Sequence, residues 1–169
     1  RLVTWNQHYA VLFPHLEPAL RTGVPLVELQ TLSARHLLPD GNPEIVPNAD
    51  GERLTPSVVF FDAHEDVKLV GSAARDDGEP DRTIFQIKRH MDDPEHLVEI
   101  DGKKWTPAEI SALILSKLKR DCSKICGDIT DVVITVPANF NELARKSTIA
   151  AAEMAGMKVR RLVNEPTAA

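Results

Sequence analysis

Asp131-Val132-Val133-Ile134-Thr135-Val136-Pro137-Ala138-Asn139-Phe140-Asn141 is the stretch that decides the fold. Its first six residues are a nearly unbroken β-branched run. Such a run without alternation is expected of a strand covered on both faces. Pro137 stops it, and Asn141 is a side-chain cap for a helix running through Ala155, with Gly156 as its C-terminal stop. The Ala150-Ala151-Ala152 patch allows this helix to lie close to a sheet. Lys158 to Val163 reads as the next strand. Strand, helix and strand in that order make a crossover unit, which requires parallel strands.

Working backwards, Thr106-Pro107-Ala108-Glu109 is a capping box with proline at the first helical position. Ile110, Leu113, Ile114, Leu118, Cys122 and Ile125 follow at helical spacing and predict one buried stripe, ended by Gly127. Leu97 to Ile100, the turn Asp101-Gly102, and Lys103 to Trp105 predict a hairpin. Thr83 to Met91 reads as a helix or helical turn carrying Ile84, Ile87 and Lys88. Ser57 to Phe61 is a strand by its β-branched and aromatic content, with Asp66 to Val70 as its partner. Asn48-Ala49-Asp50-Gly51 is turn chemistry, preceded by a short strand at Glu44-Ile45-Val46. Upstream of that, Pro14, Pro18, Pro25 and Pro39 interrupt every apolar stretch. Residues 1–40 show no period and are expected to pack poorly.

The 169 residues suffice for one ordinary domain or two small lobes. Hydrophobic residues make up 43%, charged residues 27%, and the mean hydropathy is −0.20, as in soluble globular proteins. No apolar run approaches the roughly 20 residues of a membrane helix, so no membrane partner is expected. The net charge is −5, which gives no global basic field for nucleic acid. It is unevenly spread: residues 1–40 are neutral, 41–101 carry net −9 and 102–169 net +4. The acidic middle is most simply a solvated face. Two cysteines four apart form no disulfide framework and fit a reducing, cytoplasmic setting. Cys122 and Cys126 share a helix face and read as core thiols rather than metal ligands. Six histidines show no pairing. No Gly-x-Ser-x-Gly, Gly-x-x-x-x-Gly-Lys-Ser/Thr or Gly-x-Gly-x-x-Gly motif is present. The chain opens on Arg1 and stops where a helix begins, so a piece of a longer protein is expected.

Crossover sheets bind ligands beyond the carboxyl ends of their strands. Glu165 follows such an end, where a carboxylate can meet a metal, a water or a hydroxyl. A solvated glutamate favoured by a helix dipole is the plainer alternative. Lys88, in Ile87-Lys88-Arg89, can face a phosphate. Equally, it is an exposed helix lysine.

These segments together resemble one family. Val133 to Asn141 and Arg161 to Ala169 resemble two signature stretches of the heat shock protein 70 (DnaK-type) chaperones. Pro47 to Gly51, Thr55-Pro56-Ser57, Val70-Gly71 and Phe85-Gln86-Ile87-Lys88-Arg89 resemble further ones, in the right order. The resemblance covers about residues 42–169 and leaves 1–41 unmatched. It implies an α/β fold, the first lobe of an actin-like (ribonuclease H-like) ATPase: a mixed sheet with crossover helices. A small α+β subdomain would span about 52–106, and the core subdomain about 107–169. It further implies ATP and Mg²⁺ as cofactors, with unfolded polypeptide clients and co-chaperones as partners of the whole protein. Lys88 matches the family's catalytic lysine. Glu165 matches the carboxylate that orders the water and magnesium shell. Pro137 and Arg145 match a relay towards a separate peptide-binding domain.

One departure bears on activity. The family opens with a phosphate loop reading roughly Gly-Ile-Asp-Leu-Gly-Thr-Thr-Asn-Ser, which is not found here. Permitted codons for Val27 to Leu32, read two bases out of frame, can spell Gly-Thr-Thr-Asn-Ser, so a frameshift restored by about Leu38 is one explanation. The second phosphate loop and the adenosine pocket would lie beyond Ala169, so ATP hydrolysis by this chain is expected to be weak or nil. Two alternatives stay open: a non-catalytic interaction module using the acidic stretch, or another actin-like enzyme such as a sugar kinase. The Lys88 motif and the Asn164 to Ala169 ending speak against the kinase.

Overall fold

A computed structural model describes residues 2–4, 10–12, 47–63 and 68–165. The predicted strand at Glu44 to Val46 lies outside these residues. The chain divides into two compact units: residues 1–54, 121–139 and 157–169 form one, and 55–120 with 140–156 the other.

In the first unit, β1 (Leu2–Thr4) pairs antiparallel with β2 (Ala10–Leu12). This ladder was not expected from the sequence. The turn at Asn48 is as predicted. The buried Asn48 side chain accepts from the amides of Asp50 (3.0 Å) and Glu52 (2.8 Å), and donates to the Leu54 carbonyl. Gly51 takes the left-handed φ of 79° that closes the turn.

Within the second unit, β3 (Val58–Phe61) is the central strand of a sheet in the order β4-β3-β5. β4 (Lys68–Val70) and β5 (Thr83–Phe85) both run antiparallel to it. Val59 and Phe61 join Ile87, Ile100, Ile110 and Ile114 in one core cluster, while Val58 and Phe60 pack with Ala74 in another. That is why Val-Val-Phe-Phe does not alternate: both faces of the strand are buried. α1 (Ser72–Asp77) follows β4. β6 (Val98–Ile100) and β7 (Lys103–Trp105) form the predicted hairpin. Its two-residue turn, Asp101 at φ 51° and Gly102 at φ 73°, has the doubly left-handed conformation that matches strand twist.

One predicted element is corrected. Thr83 to Met91 is not a continuous helix. Thr83, Ile84 and Phe85 pair with β3, and only Ile87–His90 forms a turn of 3₁₀ helix. Thr83 and Ile84 suit the pleated sheet edge, where Ile84 packs against the core cluster, whereas Phe85 stays exposed.

α2 (Pro107–Cys126) begins at the expected capping box. The Glu109 amide donates to Thr106 Oγ1 (3.2 Å), and the Glu109 carboxylate accepts from the Thr106 amide (2.8 Å). Ile110, Ile114, Leu118 and Cys122 are buried and Leu113 partly so, but Ile125 is 57% exposed. The predicted stripe therefore ends one turn early. Gly127, at φ 77°, stops the helix. No helix among the described residues is long and apolar enough to cross a membrane.

β8 (Asp131–Val136) is buried at every residue and pairs in parallel with β9 (Lys158–Asn164). β2 lies alongside β8. Between the two parallel strands the chain forms α3 (Glu142–Met154), capped by Asn141, whose side chain accepts from the Ala144 amide at 2.9 Å. The crossover and the parallel pairing are as the sequence predicts.

Candidate functional site

The last rung of the β8–β9 ladder pairs Val136 with Asn164. Pro137 and Glu165 are therefore the first residues after two adjacent parallel strands, Glu165 already in helical conformation. Both follow the carboxyl edge of the pair, where such sheets hold ligands. Both are half-buried.

The ladder is irregular in one place. Val132 pairs with Val159, but Val133 pairs with Arg161. Arg160 is the extra residue of a β-bulge. Its guanidinium reaches the Asp131 carboxylate at 2.5 Å, and the other Asp131 oxygen accepts from the Thr130 hydroxyl at 3.2 Å.

Lys88 and Arg145 belong to the other unit. Lys88 sits on the 3₁₀ turn, between buried Ile87 and buried Met91, and is itself half-buried. Gln86, at φ 54°, redirects the chain from β5 into this turn, and its carbonyl accepts from the Arg89 amide at 3.0 Å. Met91 is fixed from below: its sulfur accepts from the buried Ser111 hydroxyl at 3.3 Å. The lysine thus stands on a short, doubly anchored turn rather than on a flexible loop. Arg145, in the first turn of α3, donates through Nε to the Phe140 carbonyl at 3.1 Å. That bond ties the helix start to the segment after Pro137.

Two contacts near Lys88 had no signal in the sequence. His90 and His96 stack face to face, ring centroids 3.7 Å apart and planes 6° from parallel. The Asn141 side chain, besides capping α3, donates to Asp92 at 3.3 Å. Asn141 is legible as a cap from its place before a helix. Its second bond spans 49 residues and follows only from the fold.

Among the described residues no group of three or more His, Cys, Asp or Glu side chains could hold a metal ion. A single carboxylate at a strand end does suit a hard cation that keeps most of its water shell, bound through those waters. Glu165 fits Mg²⁺ in that indirect sense.

At the level of class, the described residues form a mixed α/β protein with small sheets and a parallel crossover pair whose carboxyl edge is followed by two of the four candidates, Pro137 and Glu165. Residues 30–96 and 92–169 match the Hsp70 protein family, and the chain belongs to the Hsp70 family. The match reaches back to residue 30, upstream of residue 42, where the motif resemblance begins. Membership implies the actin-like ATPase fold and places the chain in a family of ATP-binding chaperones.

Proposed function

We propose that this chain contributes to the nucleotide-binding domain of a DnaK-type chaperone, whose ATP hydrolysis drives the grip and release of unfolded polypeptides. Beside the family match, the observation that supports this reading most is the last rung of the β8–β9 ladder, Val136 with Asn164, which Pro137 and Glu165 directly follow.

Mg²⁺, held through its water shell by Glu165, would offset the charge of the nucleotide's phosphates. The chain's own residues would act around it. Glu165 would accept hydrogen bonds from metal-bound waters and hold them in place. Lys88, on its anchored turn, would present an ammonium to the γ-phosphate, orient the attacking water and offset the charge that spreads as the bond breaks. Pro137 has a fixed φ and no donor, so it would act as a stiff pivot beside Glu165. Arg145, bonded to the Phe140 carbonyl, would carry a shift of that pivot into α3. The 169 residues lack the family's Gly-Thr-Thr loop, so positioning is incomplete and turnover by this chain is weak or absent.

Calorimetric titration with Mg·ATP, alongside a phosphate-release assay, tests this reading. Binding weaker than micromolar, with release near the background rate, is expected. Micromolar or tighter binding overturns the statement that this chain is inactive. In that event Lys88→Ala should slow hydrolysis far more than it weakens affinity, and equal loss of both would remove Lys88 from catalysis.

A further inference from the structure

β8 has six residues and β9 has seven, yet their first and last residues pair. The surplus residue is Arg160, so the bulge decides which residue follows the last rung opposite Pro137. With Arg160 outside the ladder, Val136 pairs with Asn164 and Glu165 comes next to Pro137. If Arg160 entered the ladder opposite Val133, every later pairing would slip by one. Val163 would then face Val136, Asn164 would lie beside Pro137, and Glu165 would be carried one residue further and onto the opposite face.

The exposure of β9 fits the bulge. Lys158, Arg160 and Arg161 are exposed, whereas Val159 and Leu162, three apart, are half-buried. A regular strand would send adjacent arginines to opposite faces; a bulge keeps both in solvent. The bulge also has a fastening. Asp131 is buried, its carboxylate is held by the Thr130 hydroxyl and the Arg160 guanidinium, and the Lys158 amide donates to the Thr130 carbonyl at 2.7 Å where the ladder begins. All these contacts lie at one end of the strand pair, and Glu165 lies at the other.

We propose that the Asp131–Arg160 pair is a register lock: it holds Arg160 out of the ladder and so positions Glu165, rather than Asn164, beside Pro137. The proposal assigns Asp131 and Arg160 as positioning residues. Its consequence for the nucleotide rests on the function proposed above; its structural content does not.

The test is the pattern of cross-strand NOEs in the isotope-labelled chain without nucleotide. The wild type should show Thr135 against Val163 and Val136 against Asn164. In Asp131→Ala, a second set should appear with Thr135 against Leu162, populated to roughly 1–10% or more. Deletion of Arg160 removes the surplus residue, so that variant should keep the wild-type pairings, and adding the deletion to Asp131→Ala should abolish the second set. Rescue by a deletion separates a register lock from an ion pair that merely stabilises. A single wild-type register in Asp131→Ala overturns the proposal, as does a slipped register in the deletion variant. Should Asp131→Ala fail to fold, Arg160→Gln, which leaves the carboxylate and the strand length intact, is read in the same way. Addition of millimolar Mg·ATP to the same samples is a separate reading: perturbation elsewhere in the chain with none at Glu165, the register being intact, counts against the role proposed for Glu165 alone.

Discussion

Glu109 is held at the start of α2 by two hydrogen bonds from Thr106, from its amide and its hydroxyl, both 2.8 Å. The backbone bond, then the hydroxyl bond, holds the Glu109 carboxyl below the ordinary glutamate range; nearby Lys103 adds a smaller pull in the same direction. The direction fixes the pH dependence. As pH falls, the unfolded chain takes up this proton first, so the contribution is complete above the ordinary glutamate pKa and is lost as pH falls through the lower folded value. Thr106→Ala should cost about 1 kcal/mol in urea unfolding at pH 7. Glu109→Gln should be destabilising at pH 7 and nearly silent at a pH below the folded value; an equal loss at both would assign the effect to packing. A second junction is Arg82. Its Nε donates to the Phe61 carbonyl at 2.6 Å, and its two terminal nitrogens grip both oxygens of Asp101 in the hairpin turn. That grip lowers the Asp101 carboxyl and raises the Arg82 guanidinium. Arg82→Lys keeps the charge and loses the fork, so its unfolding midpoint should fall; an unchanged midpoint would mean that charge alone suffices. The capping box was legible because its partners are three residues apart. Arg82 was not, because its partners lie 21 and 19 residues away.

At the scale of elements, periodicity carried the reading where an element has one environment along its length. β8, buried throughout, and α2, with its buried stripe, were legible for that reason. The segment from Thr83 to Met91 changes environment midway, from sheet edge to 3₁₀ turn, and a single period could not describe it. Gly71 shows what a motif residue does physically. It stands between β4 and α1 at φ 92°, donates to the Val58 carbonyl and accepts from the Arg75 amide. A Cβ there would come within 3.1 Å of both Lys117 Cε and Thr55 Cγ2. Left-handed backbone and tight neighbours act together, so Gly71→Ala should destabilise by about 1–3 kcal/mol. Gly102 takes a similar φ of 73° but has open space around it. Gly102→Ala should therefore cost less than Gly71→Ala, since it carries backbone strain without crowding. If the two cost the same, crowding contributes nothing at Gly71.

For the molecule as a whole, the sequence motifs named the family, yet they could not say which candidates share a unit. Pro137 and Glu165, 28 positions apart in sequence, both follow the last rung of one parallel pair, whose strands are joined in the chain through α3. Lys88 and Arg145 fall in the other unit. A ligand that binds only the folded chain raises its stability by RT ln(1 + [L]/Kd), and this measures nucleotide affinity without requiring turnover. At 1 mM Mg·ATP, a Kd near 1 mM contributes about 0.4 kcal/mol, whereas a Kd near 1 μM contributes about 4 kcal/mol. For a chain of this length, each kcal/mol moves the midpoint by roughly 2–4 °C. The expected shift with 1 mM Mg·ATP is therefore about 2 °C or less, because the sequence lacks the Gly-Thr-Thr loop that would hold the phosphates. A shift of roughly 8–16 °C would place the affinity near micromolar and require a phosphate-holding site among residues to which no such role is assigned. The control is Mg·AMP, which has no γ-phosphate for Lys88 to meet: a shift equal to that with Mg·ATP would mean that the lysine contributes nothing to binding.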